Sequence, residues 1–263
     1  MIKFHRIGAY ILRHLYEIRA SLDRKADIFL FPVIDILTFG LLTVYIDKLE
    51  QRPGIALAIL GAVIFWTLVY NIQRDISFSI LEDAWSRNLY NLFSTPLRLV
   101  EMILGTLAIS LAKACVTIII TLGLAWGLFQ FNLFQFGWVM AFYILNIFIF
   151  SWAFGFITAS LIFRFGTKAQ AVAWSLILVI YPISGVFYPL STLPKTLADF
   201  ASILPIAHIF EGLRGIIIDA RSPSTGDLLI ILALSLLYFS LGLFLYSRAF
   251  RGAKERGWFI HPT

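Results

Sequence analysis

The sequence predicts an all-α integral membrane protein with six transmembrane helices, and three observations carry that prediction. Of the 263 residues, 60% are hydrophobic and only 14% are charged, whereas soluble domains have about 45–50% apolar and about 25% charged residues. The apolar residues form stretches close to the length of about 20 residues that a helix needs to cross a bilayer. These stretches lack the alternation that is typical of an outer-membrane β-barrel. The composition also excludes intrinsic disorder, which requires low hydrophobicity.

Six apolar stretches are predicted to be spans. They cover residues 28–46, 54–70, 102–129, 137–163, 169–188 and 228–247. The third and fourth form one stretch that is too long for a single helix, and the polar residues Gln130, Asn132 and Gln135 indicate where it folds back. The chain therefore divides into an interfacial helix (residues 1–27), a transmembrane domain (28–250) and a tail (251–263).

The basic residues predict the orientation of the spans. With six spans, 15 Lys and Arg residues fall on the face that carries both termini, and five fall on the opposite face. Because Lys and Arg concentrate in cytoplasmic loops, both termini are expected in the cytoplasm, and the protein in the inner (cytoplasmic) membrane of a bacterial cell. The net charge of +6 and the pI near 9.5 could also indicate a nucleic-acid partner, but this topology explains them, so no nucleic acid is expected.

The first 27 residues predict an amphipathic helix. Apolar residues recur at helical spacing along one stripe, namely at Phe4, Ile7, Ile11, Leu15, Ile18 and Leu22. The charged residues Arg6, Arg13, Glu17 and Arg24 fall on the opposite side. A basic amphipathic helix of this kind lies flat at the level of the lipid headgroups. The alternative is a soluble helix that packs on a partner.

The cytoplasmic stretch 74–100 predicts a short helix between spans two and three. Apolar side chains recur at helical spacing at Ile80, Leu81, Ala84, Trp85, Leu89 and Leu92. Pro96 disfavours helical backbone at Thr95, so the helix is expected to end there. Trp and Arg are enriched at the hot spots of protein interfaces. Two interpretations stay open, a docking element for a partner and a connector that packs under the membrane.

The outward loop 189–227 is too apolar for a solvated loop. Three prolines, Pro189, Pro194 and Pro205, divide it into short pieces. Irregular backbone at membrane depth is tolerated only where protein or a water-filled cavity surrounds it. The loop therefore predicts two short re-entrant helices between spans five and six.

The sequence offers no catalytic residues. It contains neither a nucleotide-binding glycine motif nor the G-x-S-x-G motif of a hydrolase. The histidines are scattered and there is one Cys, so neither a metal ligand nor a cofactor bound by this chain is expected. Asp35 and Lys113 are the charges within spans, and such residues are functional candidates by default. The alternatives are a polar seam for Asp35 and a snorkelling side chain for Lys113.

Two segments resemble a known family. The run LEDAWSRNLYNLFSTPLRLVEMILG, residues 81–105, is similar to the loop between spans two and three of ABC-2 type transporter permeases, with Thr95, Pro96, Glu101 and Gly105 at the family's positions. The run GVFYPLSTLPKTLADFASILPIAHIFEGLRG, residues 185–215, resembles the segment after span five, including Tyr188, Pro189, Pro194, Pro205 and Arg214. The resemblance extends over nearly the whole chain.

The resemblance implies the transmembrane subunit of an ABC exporter. Two copies would form the pathway, lined by spans one, two and five, and two separate ATPase subunits would bind ATP and Mg. Residues 81–93 would be the coupling helix, and the N-terminal helix would also touch the ATPase. Residues 191–214 would cap the exit, and the substrate would be an amphiphile, a lipid-linked saccharide or a drug. By the same mapping, the expected ATPase contacts are Glu82, Asp83, Trp85, Arg87 and Asn88.

Three other classes are weighed against this one. An ion- or proton-coupled secondary transporter would lack an ATPase partner and would need a relay of charges. A membrane-embedded enzyme would need His, Asp or Glu residues clustered at one depth. A structural anchor would not need polar breaks within spans or such an apolar outer loop.

Overall fold

The computed structural model describes residues 2–50, 53–86 and 88–256, and every regular element in these ranges is helical. In chain order the α-helices are α1 (Phe4–Ala20), α2 (Leu22–Lys25), α3 (Phe31–Glu50), α4 (Pro53–Trp85), α5 (Leu89–Ser94), α6 (Leu99–Phe129), α7 (Trp138–Phe165), α8 (Gln170–Ile183), α9 (Lys195–Ser202), α10 (Pro205–Asp219) and α11 (Thr225–Arg256). A π-helical turn, Ala26–Leu30, joins α2 to α3. The predicted all-α class is confirmed.

Five helical stretches are long and apolar enough to cross a membrane. They are Leu22–Leu49, Gly54–Asp83, Leu99–Phe129, Trp138–Phe165 and Thr225–Glu255. Each has 28 to 31 residues, which at 1.5 Å per residue exceeds the hydrocarbon thickness of about 30 Å. These stretches correspond to the predicted spans one to four and six, and the chain is a multi-pass membrane protein. The predicted break between spans three and four is confirmed at Gln130, where the backbone turns left-handed (φ 55°).

The fifth predicted span is shorter than the sequence indicated. Helix α8 has 14 residues and carries Pro182 near its end, so it covers only about 21 Å. Helices α9 and α10 follow it, bent by 99° relative to each other. Two short helices are therefore present after α8, as expected for the predicted re-entrant pair. Counting this bent pair as one span, the structure has up to six spans.

The longest helix, α4, has its two ends on opposite sides of the bundle. Gly54, at its start, lies against the α10 backbone, because a Cβ placed there would be 3.6 Å from the Ile218 Cα. Asp83, at its end, pairs with Arg13 of α1. We call these the re-entrant side (the loop after α8, with α9 and α10) and the N-terminal side (α1, the end of α4, α5 and the start of α6).

Spans two and four form the centre of the bundle. Of their most apolar stretches, 67% and 61% of the residues are buried, against 17–33% in the other three. Small residues allow α7 to approach its neighbours closely. A Cβ on Gly155 would lie 2.8 Å from the Ile76 Cβ, and one on Gly242 would lie 2.5 Å from the Ala153 carbonyl oxygen. Helix α7 therefore packs closely against both α4 and α11, and these contacts fix the position of α4.

Helix continuity does not follow the boundaries of the predicted domains. The first span begins at Leu22 and continues through residue 27 without a break. Helix α11 continues to Arg256, so the predicted tail from residue 251 begins within a helix. Residues 257–263 lie outside the described residues.

Candidate functional site

The predicted coupling segment consists of two helical pieces. Span two continues through Trp85, so Glu82, Asp83 and Trp85 lie on the last turn of α4. A turn follows, in which the Asn88 N–H donates to the Asp83 carbonyl at 2.9 Å, and α5 then begins at Leu89. The helix therefore does not run unbroken from 81 to 93, because this turn closes the C-terminal end of α4. Arg87, another predicted contact, lies outside the described residues.

The expected end of this segment before Pro96 is confirmed. Helix α5 ends at Ser94, and Thr95 has extended backbone (φ −75°, ψ 154°). The residue before a proline is sterically driven out of the helical region, so Pro96 accounts for this conformation.

Two ion pairs join the end of α4 to the N-terminal helices. The Arg13 guanidinium donates to the Asp83 carboxylate, and the Arg24 guanidinium donates to that of Glu82. Asp83 is only 3% exposed, and it also accepts a hydrogen bond from the Asn88 amide at 3.2 Å. The Asp83 side chain therefore faces α1 and not the surrounding solvent.

Glu17 connects the two ion pairs. Its carboxylate lies 2.8 Å from Arg13 Nε, 3.1 Å from Arg24 Nη1 and 3.0 Å from His14 Nδ1. Burial raises the pKa of Glu17, but the hydrogen bond to His14 and the electrostatic effects of His14, Arg13 and Arg24 outweigh burial and lower this pKa to about 2. Burial likewise lowers the pKa of Arg13, and the Asp83 carboxylate reverses that effect, so the pKa of Arg13 is raised. These shifts indicate a mutually stabilised charge cluster.

The N-terminal helix presents its polar side to the protein. Tyr10 and His14 are buried, and the Tyr10 hydroxyl lies 3.2 Å from the Thr106 hydroxyl on α6. Three residues of the predicted apolar stripe point away from the bundle, with Phe4 84%, Leu15 50% and Leu22 79% exposed. The other members of the stripe are half-buried, and Ile11 packs against the buried core. In a membrane such a face meets lipid, as expected of an interfacial helix. The polar side faces inward because its charges find partners on spans two and three.

The segment 95–105, which resembles the family motif, forms the surface on which α1 packs. The fully buried Glu101 carboxylate accepts hydrogen bonds from the backbone N–H groups of Lys3 and Arg98, each at 2.9 Å. The Pro96 carbonyl accepts a hydrogen bond from Arg6. Gly105 leaves room for Tyr10, since a Cβ there would lie 2.5 Å from the Tyr10 ring. The motif is visible in the sequence, but its packing against α1 appears only in the structure.

Trp85 is the most exposed of the predicted contacts whose side chains are described. It is 45% exposed and contacts Phe78 edge-on, with ring centroids 6.3 Å apart. The Glu82 carboxylate is partly exposed beside it, and Asn88 is half-buried. Together Trp85, Glu82 and Asn88 form an accessible patch at the end of α4, which we call the α4 tip.

The intramembrane Lys113 has a partner that the sequence analysis did not identify. Its ammonium lies 2.6 Å from the Asp75 carboxylate on α4. The residue before Asp75 on α4 is Arg74, and its guanidinium lies 2.9 Å from the Asp27 carboxylate at the start of span one. Both ion pairs border a cavity of about 40 Å³ that also contacts α1. The sequence predicts a loop from residue 74, whereas α4 continues through Asp75 and brings it to Lys113.

Asp35 lies apart from that cluster. It is half-buried in span one, and its carboxylate interacts with the side chain of Thr67 on span two. Among the described residues no basic side chain forms an ion pair with it.

On the re-entrant side, Arg214 of α10 holds the loop that follows α8. Its guanidinium donates to the Gly185 carbonyl at 2.7 Å and to the Tyr188 carbonyl at 2.9 Å. The Tyr188 hydroxyl donates in turn to the Pro182 carbonyl. Pro189 precedes a 3₁₀ turn, Pro194 precedes α9, and Pro205 is the first residue of α10. Of the predicted gate residues, Tyr188 and Arg214 are therefore in contact with each other. Pro194 and Pro205 instead lie at the starts of α9 and α10.

Within the described residues, no group of three or more His, Cys, Asp or Glu side chains is arranged to hold a metal ion. The architecture is that of a multi-pass helical membrane protein with a charged helical junction on one side and a re-entrant pair on the other. Comparison with family models gives a match to the ABC-2 type transporter family over residues 18–218. Because the match covers more than half of the chain, the protein belongs to this family and is a membrane component of ABC-type transport. Comparison with curated proteins gives no significant match.

Proposed function

We propose that this chain is the transmembrane subunit of an ATP-driven exporter in a bacterial inner membrane. Two copies form the pathway, and separate ATPase chains bind ATP and Mg and drive the cycle. Membership of the ABC-2 type transporter family supports the proposal. The sequence also lacks a glycine-rich phosphate-binding motif of its own, which fits hydrolysis on a partner chain.

The observation that carries the proposal is the continuity of α4. This helix runs for 33 residues from Pro53 to Trp85, about 50 Å. One end lies against α10 of the re-entrant pair, and the other end is the α4 tip. A rigid helix buried at the centre of the bundle transmits a displacement of its tip to the re-entrant side. ATP-driven movement of a partner at the tip would thereby open the exit.

In this proposal the predicted contacts have two different roles. Trp85, Glu82 and Asn88 contact the ATPase, and Arg87 belongs to the same predicted surface. Asp83 acts as a positioning residue, because its carboxylate is occupied by Arg13. The N-terminal helix follows the α4 tip through the two ion pairs, so α1 and α4 move together when the ATPase closes.

Purification of the tagged chain in mild detergent from its native membrane tests the proposal. We expect an ATP-binding subunit to copurify, and we expect the double variant Trp85→Ala with Glu82→Ala to lose it. Trp126→Ala is the matched control, because Trp126 is also an exposed tryptophan near the other end of span three. Retention of the ATPase by the double variant would move the docking site elsewhere. Absence of any ATPase under all conditions would overturn the proposal.

An ion-coupled secondary transporter is the second candidate, and one observation favours it. The ion pairs Asp27–Arg74 and Asp75–Lys113 border one cavity, and paired charges of this kind occur in ion pathways. For that class, transport would follow an ion gradient without ATP, and neutral Asp75→Asn would abolish the gradient dependence. Transport that requires ATP would exclude it.

A further inference from the structure

A cluster around Asp35 indicates what the transporter carries. Asp35 lies near the middle of the span Leu22–Leu49, at a depth where an isolated carboxylate is costly. The charges of the cavity on the N-terminal side are paired with one another, whereas within the described part of the chain Asp35 forms no ion pair. The Thr67 side chain interacts with its carboxylate and supplies no positive charge.

Four aromatic side chains form a wall next to Asp35. Trp66 and Tyr181 lie with their ring centroids 4.3 Å apart, Tyr181 and Phe187 5.7 Å apart, and Phe187 and Phe39 5.5 Å apart. The wall joins spans one and two to α8 and the loop after it. All four side chains are half-buried, so part of each ring is accessible.

The wall and the carboxylate are close to each other. Phe39 follows Asp35 by one helical turn on span one, which places both on one face of that helix. Trp66 precedes Thr67, whose side chain interacts with the Asp35 carboxylate. The Tyr181 side chain lies within electrostatic range of the Asp35 carboxylate.

The chemistry of this cluster selects a positive charge on an apolar body. A carboxylate in a medium of low dielectric constant attracts a cation strongly, and the faces of aromatic rings attract cations as well. The rings also offer apolar surface to the rest of the molecule. We infer that Asp35 and the wall of Phe39, Trp66, Tyr181 and Phe187 bind the cationic group of an amphiphilic organic cation, which is the transported substrate. This inference rests on the proposed transport function.

The same cluster disfavours the other substrate classes that the family resemblance implies. A lipid-linked saccharide carries phosphate, which the Asp35 charge repels. An inorganic cation such as Mg²⁺ or Ca²⁺ needs about six or more oxygen ligands, and within the described residues no group of three or more His, Cys, Asp or Glu side chains could hold a metal ion.

Binding of two ions of equal shape and opposite charge tests the inference. The purified chain in lipid nanodiscs is titrated with radiolabelled tetraphenylphosphonium, and with tetraphenylborate as the anionic counterpart, with empty nanodiscs subtracted. We expect saturable binding of the cation only, weakened at least tenfold by Asp35→Asn and less by Asp35→Glu, which keeps the charge. Asp47→Asn, about 18 Å along the same helix, is expected to leave binding unchanged.

The aromatic wall is tested separately. Trp66→Leu should weaken binding of tetraphenylphosphonium several-fold, whereas Trp126→Leu, an exposed tryptophan outside the wall, should not. Binding that is equal for both ions, unaffected by Asp35→Asn, or no greater than in empty nanodiscs would overturn the inference. Because these titrations need no ATPase, they fail or succeed independently of the copurification that tests the proposed function.

Discussion

The Arg13 guanidinium of the N-terminal helix donates to the Asp83 carboxylate on the last turn of span two. With Arg24 and Glu82 forming a parallel pair, this contact joins α1 to the α4 tip. A force on either helix therefore acts on both, and the contact lies about 44 Å along α4 from the re-entrant pair.

Breaking this ion pair should release α1. We expect Arg13→Gln to leave the buried Asp83 without its cation and to weaken the docking of α1 by about 2 kcal/mol. Hydrogen exchange of the α1 backbone should then be roughly 30-fold faster in its protected positions. Arg19→Gln is the control, because Arg19 is an exposed arginine on the same helix. Equal exchange in the two variants would contradict this role of the pair.

Acidification should loosen α1 through Glu17. Because the pKa of Glu17 is lowered from 4.5 to about 2 in the folded state, its stabilising contribution is complete above about pH 4.5 and is lost as the pH falls toward 2. A spin label at Arg19→Cys, in a Cys115→Ser background, should gain mobility across this pH range. In Glu17→Gln the label should already be more mobile at pH 5 and should change less on acidification. An unchanged pH response in that variant would assign the effect to another acid.

The contact between α7 and α11 should not tolerate a larger residue at Gly242. A Cβ there meets the Ala153 carbonyl oxygen at 2.5 Å, so Gly242→Ala should destabilise the protein by about 1–3 kcal/mol. Gly252→Ala on the same helix meets no atom within 4 Å and should be neutral or slightly stabilising, because alanine favours helix. Thermal unfolding in detergent, followed by loss of the monodisperse fraction, measures both. Equal melting temperatures would contradict the close packing.

The hydrogen bonds by which Arg214 holds the loop after α8 should require the shape of arginine as well as its charge. Arg214 donates to two carbonyl groups, those of Gly185 and Tyr188, and lysine cannot form the same fork of hydrogen bonds. Arg214→Lys should therefore release the loop and increase labelling of a cysteine at Tyr188→Cys by a membrane-impermeant maleimide at least several-fold. Lys195→Arg, a substitution of an exposed cation on α9, should not. Equal labelling of the Arg214→Lys and Lys195→Arg variants would show that Arg214 does not hold this loop in place.

The sequence predicted the fold class and most spans because long apolar runs have few possible structures in a membrane. It overestimated the fifth span, since the apolar residues after Ile183 belong to irregular backbone that α10 covers and that no periodicity distinguishes from a span. It also treated residues after Arg74 as a loop, although α4 continues to Trp85. Charges such as Arg74 and Asp75 resemble the end of a span until their partners, Asp27 and Lys113, are known.

Site residues were predictable by type and less so by orientation. Glu82, Asp83 and Trp85 are close in sequence, yet Asp83 is buried against Arg13 and Trp85 is exposed. Which side of α4 the N-terminal helices cover is decided in three dimensions and cannot be derived from the sequence of α4. The role of Asp35 could be suspected from its depth alone. Its aromatic wall could not, since Trp66, Tyr181 and Phe187 come together from distant parts of the chain.

Cross-linking at the α4 tip tests the central claim most directly. A single cysteine at Trp85→Cys, in the Cys115→Ser background, is labelled with a benzophenone maleimide and illuminated in native membranes. We predict a covalent adduct with an ATP-binding chain, and we predict that its yield changes when ATP is added. The control Trp126→Cys should form no adduct with that chain. Adducts with lipid or with this chain alone from position 85 would contradict the account.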